Sequence, residues 1–227
     1  FESNNLYDDL QFGFRSGRGC HDAICQVMFN VSKEVDKGNG IVLLSLDISK
    51  AFDSLKHNIL LRKLEFMGIR GASNDLIKSY LSHRCQFVQI NSAKSCSKQI
   101  NEDIAQGSLV GPPFFNFMLI DMKNLKTDAK IIKYADDAVV VFLVDKDDDD
   151  GMNSFRLQQL LNELVEYYRD NGFEINCNKS FYMCLGRPEM VDIKIMLNSA
   201  GFQYVNEMTY LGIIIDDELK LGSYVDA

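Results

Sequence analysis

The stretch Ile131-Ile-Lys-Tyr-Ala-Asp-Asp-Ala-Val-Val-Val-Phe-Leu-Val144 limits the fold more than any other. Two apolar runs rich in β-branched residues flank two adjacent acids, the pattern of a hairpin whose tip carries Asp136 and Asp137. Neighbouring side chains on a strand point to opposite faces, so at most one carboxylate follows the alternation into a given site and the turn must aim the pair. Two acids beside so much Val, Ile and Phe repel each other and lose hydration, and a bound divalent cation is the usual compensation. Taken alone, the pair is explained more simply as a polar turn, because Asp favours turns through local hydrogen bonds.

A third acid changes that balance. Ile41-Val-Leu-Leu-Ser-Leu-Asp47 has the composition of a buried strand and ends on a carboxylate, and Ile48-Ser-Lys-Ala-Phe-Asp53 leads on toward a helix. Two apolar strands ending on acids can lie side by side and pool them, which is how oxygen sites for magnesium are built, with substrate phosphates completing the octahedron.

With 227 residues, 46% of them apolar, the chain can bury a sizeable core. Its 24 basic and 32 acidic residues leave a net charge of −8, which argues against tight binding of a polyanion by this segment alone. Asp145-Lys-Asp-Asp-Asp-Asp150 reads as a solvated loop after the hairpin and fails the calcium-loop register. Six cysteines without a Cys-x-x-Cys pair read as reduced, intracellular thiols, and no stretch has the apolar length of a membrane span. Phe1 as the first residue suggests a piece of a longer protein.

Apolar spacing predicts helices from His21 to Lys37, from Leu55 to Met67, from Asn74 past Leu81, after Pro112, and through Leu157–Tyr168 up to Gly172. Strands are expected at Phe87–Ile90, around Lys98–Ile104, at Phe173–Asn176, Ser180–Leu185, Val191–Leu197 and Thr209–Ile215. Arg15 and Arg18 lie in a glycine-rich loop. Phosphate contact and a plain solvated or salt-bridged loop are both open for them.

Phe12-Gly-Phe-Arg15, Asp47 with Ala51-Phe52-Asp53, Gln106-Gly-Ser-Leu-Val-Gly-Pro112 and Tyr134-Ala-Asp-Asp137 follow one another in an order and spacing that resemble the blocks of a reverse transcriptase. The nearest likeness is to the non-LTR (LINE-type) retrotransposon group. That resemblance implies an α+β fold: a right-hand polymerase palm, an antiparallel sheet with helices on one face. Residues 1–40 would be partial fingers and 41–227 palm, ending near the primer-grip hairpin. It implies an RNA template, a DNA primer and deoxynucleoside triphosphates as partners. Asp47, Asp136 and Asp137, with the backbone of Ile48, would hold two magnesium ions, or manganese in their place.

The resemblance also gives Lys179 the protonation of pyrophosphate, Phe52 the place beneath the sugar that excludes a 2′-hydroxyl, and Gln106 and Gly107 the nucleotide floor. Arg15 joins them as a phosphate contact, and Tyr134, Tyr210, Leu211 and Gly212 as supports of the primer. On residue chemistry alone, Phe52 reads equally as core, Lys179 as a solubilising charge and Asp53 as a helix cap. Leu109-Val-Gly-Pro-Pro113 departs from the usual Val-Leu-Gly-Pro-Leu, and its second proline is expected to shift the helix start. The alternatives are an inactive retroelement fragment that keeps the palm, and a nucleotide cyclase, against which the Gln106-Gly107 block argues.

Overall fold

A computed structural model describes residues 6–100, 102–105, 107–186, 195–197 and 200–219. In chain order these form α1 (Cys20–Val35), β1 (Gly40–Leu46), α2 (His57–Phe66), α3 (Ala72–Leu81), β2 (Arg84–Gln86), β3 (Gln89–Ile90), β4 (Ala93–Lys94) and β5 (Lys98–Ile100). Next come α4 (Gly111–Met118), a 3-10 turn (Ile120–Asn124), β6 (Lys130–Tyr134), β7 (Asp137–Val144), α5 (Asp150–Asp170) and β8 (Phe181–Leu185). Short strands close the described chain: β9 (Met196–Leu197), β10 (Ala200–Gly201), β11 (Gln203–Tyr204), β12 (Glu207–Tyr210) and β13 (Ile213–Asp216).

The two longest apolar runs pair with each other because each can bury both faces only at the centre of a sheet. β1 lies between β7 and β8 and runs antiparallel to both; β6 and β11 form the edges, β11 parallel to β8. Side-chain alternation then sorts the core into two layers. Val42, Leu44, Leu46, Val140, Phe142 and Tyr182 face α2, α4 and α5, with Leu60, Leu64, Phe115, Leu157, Leu161 and Leu164 opposite them. Each fully buried leucine contributes about 2 kcal/mol over an exposed one. The helices α2, α4 and α5 therefore share one face of the sheet, whereas α1 lies on the other. The other face, with Ile41, Leu43, Val139, Val141 and Met183, is covered by α1 and the β12–β13 hairpin.

Several boundaries differ from the sequence reading for local reasons. Residues 49–54 form turns, so α2 starts at His57, two residues after the expected Leu55. α5 begins at Asp150 and takes in the end of the acidic run; Asp149 caps it, its carboxylate accepting from the Met152 N–H at 2.7 Å. Acids at a helix N-terminus meet the positive end of the dipole, which the charge pattern alone does not reveal. Pro112 and Pro113 fall in the first turn of α4, where a missing N–H costs nothing, and the helix opens at Gly111 undisturbed. Residues 173–176 contribute a single bridge, Ile175 to Ile48, rather than a strand. Thr209–Ile215 is not one strand. Leu211 and Gly212, both at positive φ, form a two-residue turn that folds it into the β12–β13 hairpin. Of the expected strand Val191–Leu197, Val191 and Ile193 lie outside the described residues, and Met196–Leu197 pairs with β10. No helix among the described residues is long and apolar enough to cross a membrane.

Candidate active site

The β6–β7 connection is a two-residue turn, Ala135 and Asp136, with Tyr134 paired to Asp137. Ala135 has φ +56°, a left-handed conformation that costs a residue with a Cβ about 1 kcal/mol. The chain near the amino terminus holds it there. Leu10–Gly13 runs beside β6: the Phe12 N–H donates to the Lys133 carbonyl and the Lys133 N–H to the Leu10 carbonyl, both at 2.8 Å. Gln11, 3% exposed, grips the turn from both sides. Its Oε1 accepts from the N–H groups of Gly13 (2.9 Å) and Ala135 (3.2 Å), while its Nε2 donates to the Ala135 carbonyl at 3.5 Å. Gly13 sits so close that a Cβ there would lie 2.1 Å from the Ala135 nitrogen. Asn116 of α4, also buried, donates to the Gly13 carbonyl at 2.9 Å. Two buried amides thus fix the backbone that aims Asp136 and Asp137.

Asp47 is fixed separately. Its N–H donates to the buried Ser180 hydroxyl at 3.0 Å, and its carbonyl accepts from the Asn176 N–H at 2.8 Å. Leu46 lies opposite Ala138 in the β1–β7 ladder. The same register carried one step further sets Asp47 opposite Asp137, and residues directly opposite in an antiparallel pair share a face. The three acids are thus neighbours at one end of the sheet. Asp137 is exposed at its surface, yet partial loss of hydration beside the sheet raises its carboxyl above the ordinary pKa of 3.8, and the negative charges of Asp136 and Asp47 push it further.

A cleft of about 460 Å³ is lined by Asp47, Ile48, Lys50, Phe52, Asp53, Asp136, Asn176 and Lys179, among others. Five sequence-nominated site residues, Asp47, Ile48, Asp136, Phe52 and Lys179, meet there, and Asp137 stands beside it through its coupling to Asp47 and Asp136. Phe52 both stacks on the buried Phe115 (ring centroids 5.0 Å apart) and lines the cleft, so the core and site readings are not exclusive. Among the described residues no three acidic, histidine or cysteine side chains form a ready-made metal cluster. The donor set is nevertheless all oxygen, and Asp137 carries a like-charge penalty that a cation relieves. These acids fit a hard divalent ion whose remaining ligands come from substrate and water.

Tyr134 is half-buried against the layer that holds the β12–β13 hairpin. Tyr210 is 3% exposed, and its hydroxyl finds no hydrogen-bond partner among the described residues. Burial, with the nearby Asp137 charge, keeps that phenol well above its ordinary range. Leu211 and Gly212 form the hairpin tip. Gly107, at φ +82° with open space around it, has the backbone freedom expected of it but is not among the residues lining the cleft. Gln106 lies outside the described residues. Arg15 is placed elsewhere: its guanidinium donates to the carbonyls of Asp8 (2.8 Å) and Gln11 (3.3 Å) and lies over the Tyr7 ring. Arg18 pairs with Asp9. The residues that sequence reasoning missed, Gln11, Asn116, Asn176 and Ser180, are neutral polar groups that act through the backbone. Only the contacts reveal them.

The pH dependence follows from Asp137. Its raised folded-state pKa means that the folded chain binds this proton more tightly than the unfolded chain does. Stability therefore falls as pH rises from the ordinary value of 3.8 through the raised one. Without divalent cations, Asp137→Asn is expected to raise Tm at neutral pH by about 2 °C, a gain that vanishes near about pH 3. Thermal melts of both proteins across pH check this.

Residues 2–215 match the family described as Reverse transcriptase (RNA-dependent DNA polymerase). The chain is 26% identical over 230 residues to a probable RNA-directed DNA polymerase from transposon X-element of Drosophila melanogaster, covering 99% of this chain and 25% of that protein. It is 26% identical over 227 residues to the RNA-directed DNA polymerase from mobile element jockey of Drosophila funebris, covering 95% and 24%. The chain thus spans about a quarter of the length of the curated relatives it matches. Among solved structures, telomerase from Candida tropicalis in complex with a fragment of telomeric RNA superposes with TM-score 0.58 at 14% identity, over 94% of this chain and 36% of that one. The apo Candida tropicalis telomerase truncated from its C-terminal domain gives 0.59 at 15% identity, over 87% and 38%. These structures share the fold of the sheet and helices described above, and with a family match across nearly its whole length the chain belongs to the reverse transcriptase family.

Proposed function

We propose that this chain is the catalytic part of an RNA-directed DNA polymerase of a non-LTR retrotransposon, acting inside the cell. It adds deoxynucleotides to the 3′-hydroxyl of a DNA primer on an RNA template. The observation that carries this reading is the meeting of Asp47 and Asp136 in one cleft, with Asp137 charge-coupled to both. Residues 1–40 belong to the fingers and 41–227 to the palm.

The three carboxylates, with the Ile48 carbonyl, are the groups that would hold two magnesium ions, or manganese in their place. When bound, such ions lower the pKa of the attacking hydroxyl and stabilise charge on the phosphates. The protein's own groups do the rest. Asp47 and Asp136 stand on backbone fixed by Ser180, Asn176 and Gln11, so little reorganisation is needed at the moment of reaction. Lys179, exposed at the cleft, gives a proton to the departing pyrophosphate. The Tyr210-Leu211-Gly212 hairpin, with Tyr134, supports the primer end, and Gln106 and Gly107 underlie the nucleotide.

Phe52, held against Phe115, presents its ring to the sugar of the incoming nucleotide. Phe52→Val opens that space and is expected to raise ribonucleotide over deoxynucleotide incorporation roughly tenfold. Single-nucleotide extension with each substrate measures the ratio, and an unchanged ratio removes Phe52 from this role. Template-primed extension in magnesium tests the proposal as a whole. A second reading, a palm kept without polymerisation, draws on the net charge of −8 and on Arg15 being engaged by Asp8 and Gln11. Cation binding without any extension on a primed template would favour it.

A further inference from the structure

Between α3 and α4 the chain leaves the core and makes a long two-stranded ribbon. β2 pairs with β5 (Cys85 opposite Gln99), and β3 pairs with β4 (Gln89 opposite Lys94). Val88 and Ser95 join the two halves: the Val88 N–H donates to the Ser95 hydroxyl and the Ser95 N–H to the Val88 carbonyl, both at 2.9 Å. Every residue from Cys85 to Gln99 is exposed, including Phe87 (51%), Val88 (64%) and Ile90 (69%). A lone two-stranded ribbon is marginal in water, and apolar side chains on it call for an occupant.

Charge says which occupant. From Leu76 to Asn101 the sequence holds Lys78, Arg84, Lys94 and Lys98 and no Asp or Glu, within a chain of net charge −8. The ribbon itself, residues 84–100, carries three cations and no acid in an acidic molecule, a balance that favours a polyanion. The Lys94 ammonium lies 5.0 Å from the Phe87 ring centroid, which puts a cation and an aromatic face together on the ribbon. That is the pairing with which single-stranded nucleic acids are held: phosphate on the cation, base on the ring.

The ribbon is also tied to the cleft. Where it returns to the core, the Ile104 N–H donates to the Phe52 carbonyl at 3.3 Å, the Asp103 N–H donates to the Leu55 carbonyl at 3.1 Å, and Glu102 bridges to Lys56. It therefore rises from the turn that carries Phe52. We infer that the 84–100 ribbon binds single-stranded nucleic acid, the unpaired template next to the cleft, by phosphate contacts to Lys94 and Lys98 and base stacking on Phe87. This assignment to the template rests on the polymerase reading, whereas the strand-binding surface itself does not.

The test is binding of a fluorescent single-stranded oligouridylate to the 227-residue chain at several salt concentrations, with thermal melts as a folding control. The double reversal K94E/K98E is expected to weaken binding at least tenfold and to flatten the salt dependence by about two counterions. Phe87→Ala is expected to weaken binding roughly tenfold with the salt slope unchanged. Both variants should melt like the parent, since all three side chains are exposed. In the parent chain, intact strand binding with no extension of a primed template would sink the polymerase reading and leave the ribbon assignment standing. Unchanged oligonucleotide affinity in both ribbon variants overturns the assignment. So does self-association that Phe87→Ala abolishes while strand affinity stays the same, which would make the ribbon a contact between copies of this chain.

Discussion

Asp136→Asn is expected to lower primer extension roughly a thousandfold while leaving the fold intact. The side chain stands in the turn, half-exposed and at the edge of the cleft, and contributes charge rather than packing. The shape of the turn comes instead from Gln11 and from the close approach of Gly13 to Ala135. Asparagine keeps the size and loses the charge, so circular dichroism and Tm should match the parent or rise slightly as repulsion with Asp137 is relieved. Extension assays under single-turnover conditions measure the loss. A residual rate within tenfold of the parent would remove Asp136 from the reaction.

The second large effect falls on a residue that lines no part of the cleft. Gly13→Ala would put a Cβ 2.1 Å from the Ala135 nitrogen, a contact with backbone that no rotamer change relieves. The turn or the Leu10–Gly13 segment must move. The expected cost is about 3 kcal/mol of stability, read from urea melts, and roughly a hundredfold in extension, since a misplacement of about 1 Å at the reacting groups has that effect. Gly17→Ala is the control. Gly17 lies in the same loop at φ +71° with open space around it, so it should cost only about 1 kcal/mol and leave extension unchanged.

These two sites show what the sequence made legible. The acids could be read because their chemistry is unusual for their setting: carboxylates at the ends of long apolar strands call for a partner whatever the fold. The strands themselves, Ile41–Leu46 and Ile131–Val144, could be read because a central strand has no polar face to obscure it. Gln11 could not. It is 124 positions away from Ala135, and a glutamine in a loop looks like any solvated glutamine until a neighbouring strand covers it. For Arg15 the charge left phosphate and loop contacts both open, and within the chain its guanidinium donates to carbonyl oxygens of its own loop, including that of Asp8, which also accepts from the Gln11 N–H. The start of α5 was hidden because an acid run looks equally like a loop and like a helix N-terminus, and only the Asp149 cap decides between them.

That catalytic reading requires Asp47, Asp136 and Asp137, drawn from separate strands, to share a cation. Titration of the chain with Mn2+, followed by water-proton relaxation, tests this without reference to activity. Saturable binding is expected, weakened at least tenfold by Asp47→Asn and by Asp136→Asn, and weakened by Asp137→Asn as well. Manganese affinity unaltered by Asp47→Asn would contradict it.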